Sequence, residues 1–253
     1  MRTTAILNLK GGVAKTVTCV NMAAILAADH KKRVLVVDAD SQANTTEFFG
    51  GAEFGRSTIS DLLRRTEVNA VIRATETEGV SLIAADDSLM DLDLSSVKSK
   101  EADMVCLEQL LRHHREEFDY CLIDCPPAFN AAAAAALLAA DDVIIPIKLD
   151  AFSLRGMTNL IRQVRNMQTI NPNLRIAGLL PTMIYRSEPI VKALRILRLS
   201  DFNVYQPIRR TTKVDDMTFA QKPLIESSPH SAACVDYRRF VKAYMREGGA
   251  VRG

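Results

Sequence analysis

The sequence predicts a doubly wound α/β fold, in which a mostly parallel, twisted sheet carries helices on both faces. Three features predict it: short apolar runs alternate with helical segments, a lysine- and glycine-rich segment follows the first run, and aspartates follow two later runs. Continuous apolar strands separated by helices are typical of parallel sheets that are covered on both faces. We find no linker and no internal repeat, so we expect a single domain over residues 1–253.

The predicted strands are the short apolar runs with β-forming residues. They are Ala5–Leu9, Val34–Val37, Val80–Ala84, Tyr120–Ile123, Val143–Ile147 and Ile176–Leu180. The predicted helices are Lys15–Ala28, Met104–Glu117, Ala131–Ala140, Ser153–Ile170 and Glu188–Arg198. Ligands of such sheets bind beyond the carboxyl ends of the strands. The residues that follow each strand are therefore the candidates for a functional site.

The composition is that of an ordinary folded protein, with 48% hydrophobic and 25% charged residues, which excludes wholesale disorder. The longest apolar run, Ala131–Ala140, is far shorter than the roughly 20 residues of a membrane span. The N-terminal residues lack the pattern of a secretory signal. The five cysteines include no Cys-x-x-Cys pair, which argues against a disulfide framework or a zinc site. We expect a cytoplasmic protein with reduced thiols.

The segment Lys10–Thr16 follows the first predicted strand and precedes a predicted helix, which is the context that a phosphate-binding loop requires. Its glycines let backbone N–H groups point at an anion, and the helix N-terminus adds the positive end of its dipole. Lys15 is placed to reach the β- and γ-phosphates, and the Thr16 hydroxyl is placed to ligate Mg²⁺. The segment fits the pattern K-G-G-x-x-K-[ST], which has a second lysine at Lys10. A purely structural glycine turn is the alternative.

Carboxylates follow two of the predicted strands. Asp38 and Asp40 come after Val34–Val37, and Asp124 comes after Tyr120–Ile123. A nucleotide hydrolase needs carboxylates near the metal ion and the attacking water. An aspartate after four apolar strand residues is the Walker B arrangement, which holds Mg²⁺ through water. For each aspartate, a helix cap or a turn former is the alternative.

Taken together, Lys10–Thr16, Asp38–Gln42 and Asp124–Pro127 resemble the ParA/Soj partition ATPases, within the wider MinD/ParA group of P-loop proteins with a deviant Walker A loop. The later segments Gly178–Met183 and Gln221–Leu224 also resemble that family. The resemblance implies slow, Mg²⁺-dependent hydrolysis of ATP to ADP and phosphate, stimulated by a ParB-like centromere-binding protein. It also implies a homodimer that forms on ATP and binds double-stranded DNA non-specifically.

The resemblance also implies roles for individual residues, which lie mostly between residues 8 and 130. Lys10, Lys15 and Asp40 are the expected catalytic residues: Lys10 crosses to the partner's nucleotide, and Asp40 orients the water. Thr16 and, through water, Asp124 are the expected Mg²⁺ residues. The expected nucleotide-binding residues are Lys10, Gly11, Gly12, Val13, Ala14, Lys15, Thr16, Val17, Pro207 and Arg209. Two of these depart from the family, because Ala14 replaces a glycine and Val17 replaces a second threonine.

The stretch from Arg155 to Lys213 is strongly basic. It contains eleven basic and two acidic residues, a net charge of +9 in a chain whose total is +2. Such asymmetry is expected of a protein that binds a phosphate backbone. We predict salt-sensitive, non-specific DNA binding there. The candidate residues are Arg186, Lys192, Arg195, Arg198 and Arg210. A solvated arginine-rich surface, or a site for an acidic protein partner, is the alternative.

Apolar residues also share one face of a C-terminal helix: Tyr237, Phe240, Val241, Tyr244 and Met245. Such a face could lie on a membrane, although packing on the core is far commoner. Three functions are therefore weighed: a ParA-type DNA partition ATPase that is nucleoid-associated when ATP is bound, a MinD-like membrane-cycling ATPase, and a metabolic enzyme or iron–sulfur carrier on the same scaffold. The basic stretch favours the first. The sequence does not distinguish among plasmid, mobile-element and chromosome cargo.

Overall fold

The computed structural model describes residues 1–50, 56–64, 71–92, 105–150 and 153–250. Within these residues, seven strands form one sheet in the order β3-β4-β2-β5-β1-β6-β7. The strands are β1 Arg2–Ile6, β2 Val34–Asp38, β3 Ile72–Ala74, β4 Val80–Ile83, β5 Tyr120–Asp124, β6 Asp142–Lys148 and β7 Arg175–Thr182. Only β3 runs antiparallel to its neighbour among these strands. The predicted, mostly parallel sheet is thus confirmed.

Helices cover both faces of the sheet. In chain order they are α1 Lys15–His30, α2 Asn44–Phe48, α3 Ile59–Arg64, α4 Cys106–His113, α5 Ala131–Ala139, α6 Ser153–Gln168, α7 Glu188–Arg198, α8 Lys213–Ala220, α9 Leu224–Ser227 and α10 Ala232–Ala250, with a 3₁₀ helix at Asp87–Asp91. One core layer takes side chains from α3 to α7. The other takes side chains from α1, α2 and α8 to α10. The doubly wound arrangement is confirmed.

Several predicted boundaries differ from the structure, and the first strand differs most. It was expected at Ala5–Leu9 but begins at Arg2, because its polar first residues are buried against partners. The Arg2 guanidinium donates to Asp142 at 2.5 Å and lies 3.7 Å from the centre of the Tyr244 ring. The strand ends early because Asn8 already belongs to the loop: it accepts a hydrogen bond from the Lys10 backbone N–H at 2.9 Å.

The remaining differences concern short elements that were not predicted and the ends of one helix. The short edge strand β3 and the helices α2, α3, α8 and α9 carry no strong periodic pattern and were not predicted. The helix expected at Met104–Glu117 begins at Cys106 and ends at His113, and Met104 lies outside the described residues.

The C-terminal helix α10 packs its apolar face into the protein. Tyr237, Phe240, Val241 and Tyr244 are at most 1% exposed, in the same core layer as α1. This face is therefore not available for a membrane surface, and the structure gives the membrane alternative no support. In the described part of the chain, no helix has both the length and the hydropathy needed to cross a bilayer.

The strand register brings the two acidic segments together. Strands β2 and β5 are parallel neighbours, and Asp38 pairs directly with Asp124. On the other side of β5, Ile6 at the end of β1 pairs with Asp124. The loop that follows β1 therefore lies next to both carboxylates, at the carboxyl edge of the sheet.

Candidate nucleotide-binding site

The loop between β1 and α1 owes its shape to two residues with left-handed backbone conformations. Gly12 has a φ of 67° and Ala14 a φ of 70°. A side chain at Gly12 would meet no atom within 4 Å, so the conformation rather than space is what favours glycine there. Ala14 precedes α1 and provides no side-chain cap. The first backbone N–H groups of α1 are thus left for an anion, as in phosphate loops.

Lys15 is the buried cation of this loop, since it is only 8% exposed. Its ammonium donates to the Lys10 backbone carbonyl at 3.3 Å. Burial lowers the pKa of Lys15, while the charges of Asp124 and Asp40 raise it. Lys15, Asp40 and Asp124 therefore lie close enough for their charges to interact, beside the loop between β1 and α1.

Asp124 is the best-supported metal residue. It is 1% exposed, and its Oδ2 accepts hydrogen bonds from the hydroxyls of Thr16 at 2.6 Å and Thr45 at 2.7 Å. Its Oδ1 is buried without a hydrogen-bond partner in the described part of the structure. An unpartnered buried carboxylate oxygen is costly unless a cation or water satisfies it. Thr16 and Asp124 together thus offer the hard oxygen ligands that Mg²⁺ prefers, directly or through water.

Asp38 and Asp40 have different surroundings although they are two residues apart. Asp38 is fully buried and accepts three hydrogen bonds: from the Thr46 backbone and hydroxyl, both at 2.8 Å, and from the Asp40 backbone at 3.1 Å. Burial raises the pKa of Asp38, and the neighbouring Asp124 charge adds to the rise. Asp40 is half-buried, and its carboxylate accepts the Gln42 backbone N–H at 3.1 Å. Asp38 therefore fixes the segment from Asp38 to Thr46 through these hydrogen bonds, whereas Asp40 presents a carboxylate beside Lys15.

Lys10 is bound within its own chain. Its ammonium forms an ion pair with Asp150 at 2.5 Å, and both side chains are about one-third exposed, at 37% and 32%. Asp150 follows β6, whose residue Pro146 accepts a hydrogen bond from the Asn8 side chain at 2.7 Å. A lysine that crosses to a partner's nucleotide must therefore first leave Asp150.

A cavity of about 260 Å³ adjoins the loop on the side of β7. Its lining residues are Ala14, Val17, Lys148, Thr182, Met183, Tyr185, Ile208, Arg209, Arg210, Thr211, Thr212, Val214, Asp215 and Tyr237. The Thr182 hydroxyl donates to the Val13 carbonyl at 3.0 Å and so ties β7 to the loop. Of the two later residues expected to bind nucleotide, Arg209 lines this cavity. Pro207 is half-buried and is not among the lining residues.

The five residues expected to bind DNA are all exposed, but they fall into two groups. Arg210 lines the cavity, and its backbone N–H donates to the carbonyl of Ile184, two residues before Arg186. The other group lies on α7 and comprises Lys192, Arg195 and Arg198. Lys192 pairs with Glu188 at 2.6 Å. The four arginines form no ion pair with any described residue, so their charges are available to an anionic partner.

The sequence did not single out several residues that shape the site. Thr45 and Thr46 bind the two buried aspartates, Asp150 binds Lys10, and Asp236 binds Arg209. Thr45 and Thr46 carried a usable signal, since two adjacent hydroxyls closely follow the Asp38–Asp40 segment. Asp150 and Asp236 carried none, because each is far in sequence from the residue it binds.

Comparisons with known proteins find a matching family model and relatives that cover most of the chain. The family model described as an AAA domain matches residues 1–176. The chain is 32% identical over 250 residues to the sporulation initiation inhibitor protein Soj of Bacillus subtilis, covering 96% of this chain and 98% of that protein. It is 34% identical over 239 residues to the chromosome partitioning protein ParA of Caulobacter vibrioides, covering 89% and 86%.

Solved structures share the fold over nearly the whole chain. Cobyrinic acid a,c-diamide synthase from Mycobacterium smegmatis, solved with bound ADP and magnesium, has a TM-score of 0.83 and 28% identity and covers 98% of this chain and 96% of its own. Apo McdA from Cyanothece has a TM-score of 0.86 at 23% identity, covers 97% of this chain and 99% of its own, and shows the fold alone.

Proposed function

Because this chain belongs to the ParA/Soj family of P-loop partition ATPases, we propose that it is an ATP-switched dimer that moves or positions DNA. In this proposal, ATP and Mg²⁺ bind at the loop after β1, and ATP drives two copies together. The dimer binds DNA without sequence preference, and a ParB-like partner stimulates slow hydrolysis, which releases it. The protein is then cytoplasmic and lies on the nucleoid while ATP is bound.

The arrangement at Asp124 is the observation that supports this proposal most strongly. The Oδ1 atom of Asp124 is buried without a hydrogen-bond partner among the described residues, and this carboxylate lies beside the Thr16 hydroxyl and the Lys15 cation, next to the loop between β1 and α1. When bound, Mg²⁺ neutralises the charge of the β- and γ-phosphates. Thr16 and Asp124 hold it, the loop N–H groups bind the phosphates, and Lys15 adds its charge to them.

The base and ribose of the nucleotide take the cavity beside the loop. Ala14 and Val17 line the cavity at the place where the loop enters α1, so phosphates on the loop lead directly into it. Its volume of about 260 Å³ gives room for those parts of the nucleotide. Tyr185, Ile208 and Tyr237 provide the apolar and aromatic surface that such a site needs.

Asp40 orients the attacking water. Its carboxylate is half-buried and close to Lys15, and hydrogen bonds to Asp38 and Gln42 fix the segment that carries it. A fixed carboxylate can accept a hydrogen bond from water and align it with the γ-phosphate. Asp38 takes no direct part, since its two oxygens are already occupied by three donors.

Lys10 couples nucleotide binding to dimer formation. In one chain its ammonium is compensated by Asp150. The γ-phosphate of a partner's ATP carries more charge than one carboxylate, and so it draws Lys10 across the interface. ADP lacks that phosphate, so the lysine remains with Asp150 and the dimer does not form.

Three substitutions, each assayed for ADP affinity and ATP turnover, would test this function. In calorimetric titrations with ADP, Lys15→Ala weakens binding at least tenfold, because a charge-assisted contact to phosphate is lost. Asp40→Ala keeps ADP affinity within about twofold, yet ATP turnover falls about a hundredfold or more. Lys242→Ala, an exposed control on α10, changes neither quantity. Unchanged ADP affinity in Lys15→Ala refutes the nucleotide site, and normal turnover in Asp40→Ala refutes the role of Asp40.

A further inference from the structure

A buried carboxylate on the C-terminal helix holds a cavity residue in place. The side chain of Asp236 is 3% exposed and accepts hydrogen bonds from Arg209 Nε at 2.7 Å, Nη2 at 2.9 Å and the backbone N–H at 3.1 Å. Nη2 also donates to the carbonyl of Ala232 at 3.3 Å. All of the Nε and Nη2 hydrogens of Arg209 are therefore donated in hydrogen bonds to acceptors on α10.

These bonds leave the guanidinium with one free edge and its two flat faces. The Arg209 side chain is 52% exposed and lines the cavity beside the loop. Nη1 makes no hydrogen bond to any described residue. Asp236 offsets part of this positive charge, although it also lies 3.9 Å from Arg239, and the hydrogen bonds to α10 leave few Arg209 donors for a phosphate. A planar guanidinium stacks well on aromatic rings.

The same helix contacts the first turn of α1, directly after the phosphate loop. Tyr237, the neighbour of Asp236, also lines the cavity, and its hydroxyl lies 3.1 Å from the Thr18 hydroxyl on α1. Both Tyr237 and Asp236 are almost completely buried, at 1% and 2% exposed. One wall of the cavity is thus fixed by α10 relative to the start of α1.

From this geometry we propose that Asp236 is a positioning residue that holds the guanidinium of Arg209 as a flat platform for the nucleobase. Arg209 contacts the ring plane and does not read the base edge or bind phosphate. The inference rests on the proposed function, because it places a nucleotide in this cavity. It adds that base affinity depends on a carboxylate of α10 that touches no part of the nucleotide.

The test separates contacts to the base from contacts to phosphate. Calorimetric titrations of the full chain with Mg²⁺ compare ADP, GDP and pyrophosphate. We expect Arg209→Ala and Asp236→Ala each to weaken ADP and GDP binding about fivefold to tenfold, the range of a stacked guanidinium. Pyrophosphate affinity stays within about twofold of the wild-type value, since phosphate contacts are untouched. The double variant matches the single variants, because both remove the same platform.

Two further variants separate this role from a merely structural one. Arg209→Lys keeps a cation for Asp236 but removes the planar group, so ADP binding weakens although the fold is kept. Arg238→Gln is the matched control: Arg238 lies on the same helix and pairs with Asp29 at 2.8 Å, outside the cavity. It should leave the affinities for all three ligands unchanged. Thermal unfolding without nucleotide verifies that each variant is folded.

Several results would overturn the inference. Equal losses of pyrophosphate and ADP affinity would make the ion pair a structural element only. A loss for ADP without a loss for GDP would mean that Arg209 reads the base edge. Unchanged ADP affinity in Arg209→Lys would refute the platform while leaving the proposed function intact. If the wild-type protein binds neither ADP nor pyrophosphate, both the platform inference and the proposed function are refuted.

Discussion

Ala14 occupies a backbone position that suits glycine better. Its φ of 70° lies in the left-handed region, which costs an alanine about 1 kcal/mol. We therefore expect Ala14→Gly to stabilise the nucleotide-free protein by up to about 1 kcal/mol, less the entropy that glycine adds to the unfolded chain. Thermal unfolding measures the change, with Ala28→Gly inside α1 as a destabilised comparison. A lower melting temperature for Ala14→Gly would contradict the account of the loop.

The buried aspartates make the stability of the nucleotide-free protein depend on pH. Burial raises the pKa of Asp38 to about 7 and also raises the pKa of Asp124 above its ordinary range. The folded protein thus holds these protons more tightly than the unfolded chain does. Between about pH 4 and about pH 7 the site therefore loses stability as the pH rises, and the stabilisation is fully present only at the acid end.

We expect Asp38→Asn to flatten this pH dependence. The measured quantity is the slope of the melting temperature against pH between about 4 and about 7, without nucleotide or Mg²⁺. The slope is compared because the substitution also disturbs hydrogen bonds and so changes the absolute stability. Asp87→Asn, an exposed control, should retain the wild-type slope. A wild-type slope in Asp38→Asn would show that this carboxyl does not titrate in that range.

At the residue level, the sequence singled out the residues that meet beside the loop but not the residues that hydrogen-bond to them. Lys15, Thr16, Asp40 and Asp124 follow strands in a recognisable pattern, and the sheet brings them together. The family resemblance assigned the catalytic role to Asp40, but the structural role of Asp38 could not be predicted, since it depends on burial and on three hydrogen-bond donors.

At the level of elements, the ends of β1 and β6 hold the lysine that we propose to act across the dimer. The Lys10–Asp150 pair is about one-third exposed, so it stabilises the single chain by at most about 1 kcal/mol. ATP from a partner can therefore outcompete it. We expect Lys10→Ala to bind ADP within about twofold of the wild type but to sediment as a monomer with ATP. A normal ATP-dependent dimer of Lys10→Ala would refute the role of Lys10 across the interface.

Element boundaries were predictable where a strand or helix is apolar throughout. Strands β2, β5, β6 and β7 were predicted to within a few residues, since both faces of the sheet are buried. The first strand was misplaced because Arg2, Thr3 and Thr4 are buried polar residues, which a hydropathy pattern cannot recognise. Their partners Asp142 and Tyr244 lie more than 100 residues away in sequence.

For the whole molecule, charge is the property that links the fold to the proposed switch. The four exposed arginines that were predicted to bind DNA form no ion pair with described residues: Arg186, Arg195, Arg198 and Arg210. In the proposed switch, a single chain offers few simultaneous contacts to DNA phosphates, and an ATP-bound dimer would double them. Because the logarithm of affinity grows with the number of phosphates neutralised, we expect the dimer to bind far more tightly and more salt-sensitively. The sequence could predict this charge asymmetry. It could not predict that the arginines fall into two groups, one on α7 and one at the rim of the cavity.

The central claim, that ATP switches non-specific DNA binding, is tested most directly by a mobility-shift titration. Random duplex DNA is titrated at low salt with ATP, with ADP and without nucleotide. We expect tight binding only with ATP, with the same affinity for unrelated sequences and a steady loss as salt rises. Arg195→Glu with Arg198→Glu weakens binding to all sequences and leaves the ATP dimer intact. Lys31→Glu with Lys32→Glu, the same change in charge just before β2 and outside the basic stretch, has a much smaller effect. Equal binding in all three nucleotide states would contradict the switch.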